Sequence, residues 1–166
     1  MKYMGSKNRI AKHLLPIMLT ECEKYGITKW VEPFVGGANM IDKVPSEFAR
    51  VGCDNNQYLI DMYNHLQMCG FDYDEDISKE QYDTIRNLYN TKSNTINGQN
   101  IPDSYIGWVG FMASANGRFF DGGYGGKSNT KIGTTRNYTA ESVRGLKKQF
   151  PSIQDVSFIY CDYNNL

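Results

Sequence analysis

Apolar residues recur along this chain first at helical spacing and then in short runs closed by glycine. Between Lys7 and Tyr25, the residues Ile10, Leu14, Leu15, Ile17 and Met18 fall mostly on one face of a helix, with Gly26 placed to end it. Pro16 lies inside that stretch and is expected to kink it. Lys29 to Val35 is a short apolar run stopped by Gly36-Gly37, which predicts a strand and a turn. Ala38 to Lys43 is expected to begin another helix, and Ala49 to Cys53 reads as a second strand ending at Asp54. Gln57 to Met68 returns to helical spacing through Leu59, Ile60, Tyr63 and Leu66. Strand, glycine turn, helix, strand and acid, in that order, form the first half of a doubly wound α/β sheet.

The middle of the chain has a different character. Ser78-Lys79-Glu80-Gln81 has the form of a helix N-cap, and Tyr82, Ile85, Leu88 and Tyr89 follow as an apolar stripe. Thr91 to Asn100 is polar and turn-like. Ile101 to Ala115 predicts another helix, against which Gly107 and Gly110 count. Asn116 to Thr135, rich in glycine, aromatics and bases, reads as a loop or irregular hairpin. Thr139 to Gln149 predicts a short helix capped near Thr139, and Val156 to Cys161 a strand returning to the sheet. The expected plan is α/β: a nucleotide-binding sheet part over 1–70, an inserted, mostly helical subdomain over 71–150, and a returning strand over 151–166.

Composition narrows the class. A length of 166 residues suits about one domain, and 40% hydrophobic with 22% charged residues is ordinary for a soluble globular chain. The net charge is zero, so global charge does not advertise a polyanionic partner. The distribution is uneven: acids crowd Asp72 to Asp83, and bases (Arg118, Lys127, Lys131, Arg136, Arg144, Lys147, Lys148) crowd the region after Ile101. Cys22, Cys53, Cys69 and Cys161 form no Cys-x-x-Cys pair, and His13 and His65 show no shared ligand spacing, so no metal site is expected. The cysteine usage fits a reduced, cytoplasmic location. No signal peptide and no membrane span is visible, so no membrane partner is expected.

A glycine pair after a strand lets a backbone approach a ligand closely. Asp54, 18 residues beyond Gly36, is placed to accept hydrogen bonds from ribose hydroxyls. That arrangement suits NAD and S-adenosylmethionine alike, and equally a plain tight turn beside a surface acid. The third glycine of a pyrophosphate-binding loop is absent from Gly36-Gly37-Ala38-Asn39-Met40, which tilts the reading away from a dinucleotide.

The N-terminal Tyr3-Met4-Gly5-Ser6-Lys7 adds a second signal. Together with Val31-Glu32-Pro33-Phe34-Val35-Gly36-Gly37 and Cys53-Asp54-Asn55, it resembles the cofactor half of the Dam-like (D12 class) DNA adenine-N6 methyltransferases, motif by motif and in order. The resemblance implies a Rossmann-like methyltransferase sheet, here incomplete, with an inserted DNA-recognition subdomain. It implies S-adenosyl-L-methionine as cofactor. Lys7 would meet its carboxylate, Tyr3, Phe34, Gly36 and Gly37 would line its pocket, and Asp54 would hold its ribose. Double-stranded DNA is the implied partner. Phe111 to Gly126 is similar to the family's glycine- and aromatic-rich recognition segment. Arg118, Lys127, Lys131 and Arg136 would meet phosphates, Phe119, Phe120 and Tyr124 the bases, and Asn116 and Asn129 the base edges.

The family's Asp-Pro-Pro-Tyr motif, which holds the target amine, does not occur in the sequence. Asp162-Tyr163-Asn164-Asn165 has no proline and its aromatic residue comes one position early. No catalytic residue is therefore assigned. The expectation is the N-terminal portion of a longer enzyme, or a truncated relative, inactive by itself and with an unpaired sheet edge. The alternatives are a non-catalytic DNA- or cofactor-binding protein of the same ancestry and an unrelated nicotinamide-dependent enzyme.

Overall fold

Three parallel strands carry the site, and their order is set by two crossovers. The computed structural model describes residues 1–129 and 132–165. Helix α1 (Asn8–Lys24) leads into β1 (Lys29–Glu32), then β2 (Ala49–Asp54) and α2 (Gln57–Cys69). Next come α3 (Lys79–Thr91), a two-residue hairpin of β3 (Thr95–Ile96) and β4 (Gln99–Asn100), and α4 (Asp103–Met112). A second hairpin, β5 (Lys127–Asn129) and β6 (Thr135–Asn137), runs into α5 (Tyr138–Gln149), and β7 (Ser157–Tyr160) closes the sheet. The sheet order is β1-β2-β7, all parallel. Glu32 pairs with Gly52, and Asp54 with Tyr160, so the strands' carboxyl ends share one edge. Ligands of open α/β sheets bind outside that edge. No described helix is long and apolar enough to cross a membrane.

Two expectations about the first seventy residues need correction. Helix α1 runs unbroken through Pro16, but its buried stripe is Ala11 and Leu15, with Leu19 and Cys22 packed partly against the core. Ile10, Leu14, Ile17 and Met18 lie on the exposed side. The small i, i+4 stripe docks, and the larger apolar residues do not. The helix expected from Ala38 is only a 3₁₀ turn at Ile41–Lys43. Gly36 (φ +47°) and Ala38 (φ +53°) are both left-handed, and a right-handed helix cannot start through them.

The later helices show why local patterns worked there. Ser78 and Gln81 form a reciprocal capping box at the start of α3. Asn137, not Thr139, caps α5, its side chain accepting from Ala140 N at 3.0 Å. Thr139 is instead buried, and its hydroxyl has no hydrogen-bond partner among the described residues. Residues Ile106 to Met112 of α4 are all buried, as expected for a helix apolar on every side. They join one cluster with Leu59, Met62, Tyr63 and Leu66 of α2, Val143 and Leu146 of α5, and Phe158 of β7. The buried guanidinium of Arg50 ties the far end of the sheet together. Its Nη1 lies within 3.2 Å of the carbonyls of Ile41, Val44 and Ser152, and Nη2 pairs with Asp155.

The glycines that argued against α4 are what let it pack. A methyl on Gly107 would sit 2.1 Å from the Tyr58 carbonyl oxygen of α2, and one on Gly110 would sit 2.5 Å from the Phe119 ring. By propensity alone Gly107→Ala gains about 1 kcal/mol. The steric conflict outweighs that gain: overpacking costs about 1–3 kcal/mol, and a 2.1 Å approach to a fixed backbone oxygen lies at the upper end, about 2–3 kcal/mol. Urea denaturation of Gly107→Ala is therefore expected to show a net loss of roughly 1–2 kcal/mol. An unchanged or raised midpoint would mean that α2 and α4 are not in backbone contact.

Candidate functional site

The glycine turn after β1 is built from four directions. Gly36 N donates to Asp54 Oδ2 at 3.0 Å, and the buried Tyr63 hydroxyl donates to Gly36 O at 2.9 Å. Asp54 Oδ1 also accepts from Asn56 N at 3.1 Å, at the entry to α2. Gln149 Nε2 shares its hydrogens among Gly37 O, Ala38 O and Asp42 Oδ2, at 2.9–3.1 Å. The fourth side is Tyr3. A methyl on Gly36 would lie 2.8 Å from the Tyr3 ring, and one on Gly37 would lie 2.6 Å from its Cβ. Only glycine fits beneath the N-terminal segment at these two positions. The Tyr3 ring stacks on Phe111 with centroids 5.8 Å apart. Burial, with the Asp54 charge second, pushes its hydroxyl up to about 12, so it stays a neutral phenol.

Tyr3, Lys7, Phe34, Gly36 and Gly37 come together around one crevice, with Gly5, Ser6, Glu32, Asn39 and Met40. Asp54 sits beneath it, nearly buried, and reaches it through Gly36. Lys7 is exposed and its Nζ lies 3.4 Å from Phe34 O. Phe34 is also exposed, its ring 5.3 Å from that of Tyr163, just past the end of β7. In this conformation the crevice has about 30 Å³ of room for water-sized groups. Its cover, however, is made of the exposed residues Gly5, Ser6, Lys7 and Phe34.

Sequence reasoning did not single out Glu32, although it lay inside a quoted motif. Glu32 is 9% exposed, lines the crevice, and accepts from Trp30 Nε1 at 3.3 Å. Burial pushes its carboxyl up to about 7, against the smaller opposing pull of the Trp30 bond and Lys7. Gln149, Asn39 and the Met1 amino group were also missed. That amine donates to Gln149 Oε1 and, at 3.3 Å, to Asn39 Oδ1, and burial lowers it to about 6. Only the fold brings residues so far apart in the chain together.

A second concavity of about 420 Å³ is lined by Asn116, Tyr124 and Lys127, together with Lys2, Ser114, Tyr138 and Ser142. Three of the nine residues expected to meet nucleic acid, Asn116, Tyr124 and Lys127, thus share one wall. Arg118 lies nearby in the chain, its Nε 3.0 Å from Met4 Sδ. Arg136 forms a bidentate pair with Glu141 at 2.6 and 2.9 Å, and Lys127 pairs with Asp76 at 3.0 Å. Tyr124 donates its hydroxyl to Ile77 O at 2.6 Å, so its polar end is held inward. Phe119 and Phe120 are packed into an aromatic cluster with Tyr58, Tyr89 and Phe111. Asn129 is exposed on β5, and Lys131 lies outside the described residues.

Residues 3–103, more than half of the chain, match the sequence model of the D12 class N6 adenine-specific DNA methyltransferases. No curated protein matches the chain.

The raised Glu32 carboxyl makes a signed prediction. Its ordinary value is 4.5 and its folded value about 7, so the folded state binds the extra proton between them. The cost of the buried charge is absent below pH 4.5 and complete above pH 7. Glu32→Gln, which keeps the acceptor for Trp30, is expected to stabilise the chain by on the order of 2 kcal/mol at pH 8. The gap should close as pH falls through 7 towards 4.5. Thermal unfolding at several pH values reads this directly, and a pH-independent gap would mean that Glu32 is not desolvated.

Proposed function

The chain belongs to the D12 class of N6 adenine-specific DNA methyltransferases, and we propose that the crevice at the carboxyl edge of its sheet binds S-adenosyl-L-methionine. The observation that carries this reading is the glycine turn with two buried acids, Asp54 and Glu32, at the ends of adjacent parallel strands. The residues present suit that cofactor. Gly36 and Gly37 offer bare backbone, and Tyr3 and Phe34 offer apolar walls. Lys7 supplies a cation for the methionine carboxylate. Glu32, a buried acid with a raised proton affinity, suits the ammonium beside it. Each Asp54 oxygen already accepts one backbone N–H and keeps a lone pair for a ribose hydroxyl. When bound, the cofactor supplies an electrophilic methyl group. The chain's own contribution is to orient it and to exclude water, which requires the exposed residues Gly5, Ser6, Lys7 and Phe34 to part and admit it.

Double-stranded DNA is the proposed partner of the second concavity. In this reading residues 71–150 serve target recognition and residues 1–70 with 151–166 serve the cofactor. Asn116 and Tyr124 face the nucleic acid at the concavity, Lys127 and Arg136 exchange their carboxylates for phosphates, Arg118 extends the cationic border, and Lys131 is a further phosphate contact proposed from the sequence alone. The proposed setting is the reducing cytoplasm. The second reading is a cofactor- or DNA-binding relative without transfer activity. Transfer of labelled methyl groups to duplex DNA separates the two readings.

The cofactor assignment is tested by titrating the chain with S-adenosylhomocysteine in a calorimeter. Asp54→Ala should weaken binding by about 1–3 kcal/mol, roughly 5- to 150-fold, the size of a lost hydrogen bond to a charged group. Circular dichroism must show the variant folded. Equal affinity in native chain and variant, or binding of NADH in preference, would dismiss the ribose site.

A further inference from the structure

Far along α2 from the glycine turn, three side chains of metal-ligating type converge. His65 and Cys69 are one helical turn apart. Gly70 then ends the helix with φ +77°, and the reversed chain brings Asp72 back over the last turn. His65 Nε2 lies 2.7 Å from Asp72 Oδ1. One ligand atom each from His65, Cys69 and Asp72 all fall within 4.8 Å of one another. The imidazole is clamped as well: it stacks on Tyr73 at 4.3 Å and 8°. The Tyr73 hydroxyl is in turn hydrogen-bonded to Ser104 Oγ at 2.7 Å, and its ring packs on Tyr105 and Trp108.

An ordinary His–Asp pair accounts for the first contact but gives no part to the thiol beside it. A tetrahedral ion with bonds of about 2.0–2.3 Å spaces its ligand atoms roughly 3.3–3.8 Å apart. To reach that spacing the His65–Asp72 contact must part and the wider separations, which extend to as much as 4.8 Å, must close, on a surface where Cys69 and Asp72 are exposed. Imidazole nitrogen, thiolate sulfur and one carboxylate suit zinc-type ions, whereas Mg²⁺ and Ca²⁺ prefer oxygen alone. We propose that His65, Cys69 and Asp72 form a binding site for a zinc-type divalent cation, with a fourth position open to solvent. The ion clips the end of α2 to the segment that leads towards α3, and it displaces the thiol proton on binding. The pattern His-x₃-Cys-x₂-Asp escaped a search for paired cysteines because its third member arrives only through the Gly70 reversal.

The probe is Co²⁺ alone, added to the full chain under reducing conditions. A thiolate-to-cobalt charge-transfer band should grow to saturation at one equivalent and be displaced by Zn²⁺. Cys69→Ser and His65→Ala should each lose the band, while Cys22→Ser keeps it. Zn²⁺ should raise the melting temperature of the native chain but not of Cys69→Ser. No saturable thiolate band, a band that survives in Cys69→Ser, or one that survives in His65→Ala overturns the proposal. Both substituted side chains sit at the surface end of α2, and circular dichroism confirms that the variants fold.

Discussion

One residue, Gly36, holds the carboxyl edge of the sheet together. Its N–H is taken by Asp54 from β2, and its carbonyl by Tyr63 from α2. The same Tyr63 ring stacks on Phe158 of β7 at 4.3 Å, so the third strand is fastened to the turn through a single side chain. Immediately before it, Val35 N donates to Cys53 O at 2.8 Å, and immediately after it Gln149 of α5 holds the next two carbonyls. A buried backbone polar group left unpaired costs roughly 1–3 kcal/mol, so none of these partners can be dropped without cost. The left-handed Gly36 and Ala38 are stable because neighbours from β2, α2, α5 and the N-terminal segment leave them no alternative.

That arrangement also explains which parts of the chain were legible from the residues. The strand ending at Glu32, the glycine turn and the acid ending β2 follow local rules, since each is specified by its own few residues. So does the capping box of α3, where Ser78 and Gln81 need only each other. Ala38 did not follow them, because its conformation is imposed by contacts across the sheet and not by its own propensity. Helix α1 misled for a related reason: periodicity reports that a face is apolar, not which face is covered, and here Ala11 and Leu15 dock while Ile17 is 66% exposed. Gln149 carries no local signal at all. Its importance comes from a position 112 residues away from Gly37. Glu32 was visible as part of a motif, but its burial, and hence its raised proton affinity, needed the fold.

The glycine- and aromatic-rich segment after α4 divides its labour by side. Phe119 and Phe120 turn inward, and Phe119 stacks on Phe111 at 4.6 Å. Phe120 has a φ of +60°, a strained conformation for a bulky residue, and its N–H is held by the buried Ser114 hydroxyl at 2.9 Å. Gly110 provides the room that both rings need. The aromatic residues that a sequence reading would send to a base therefore anchor the segment, and its polar and cationic residues are what remain to face outward.

The same economy governs charge. In the sequence the acids of Asp72 to Asp83 and the bases after Ile101 are separate blocks, which would suggest a basic face standing alone. In the fold the blocks meet, as Asp76 reaches Lys127 and Glu75 reaches Lys147, while Glu141, from the basic region itself, draws in both Arg136 and Lys2. These pairs are at the surface, where water and salt leave an ion pair little net strength. A phosphate backbone offers the same cations a denser line of negative charge and releases counterions as it binds. In the proposed contact with DNA, the carboxylates serve as placeholders: they occupy the cations in the free protein and would yield to a denser polyanion. Zero net charge in this chain is therefore compatible with the proposed binding of nucleic acid, because the pairing of its cations is local and weak.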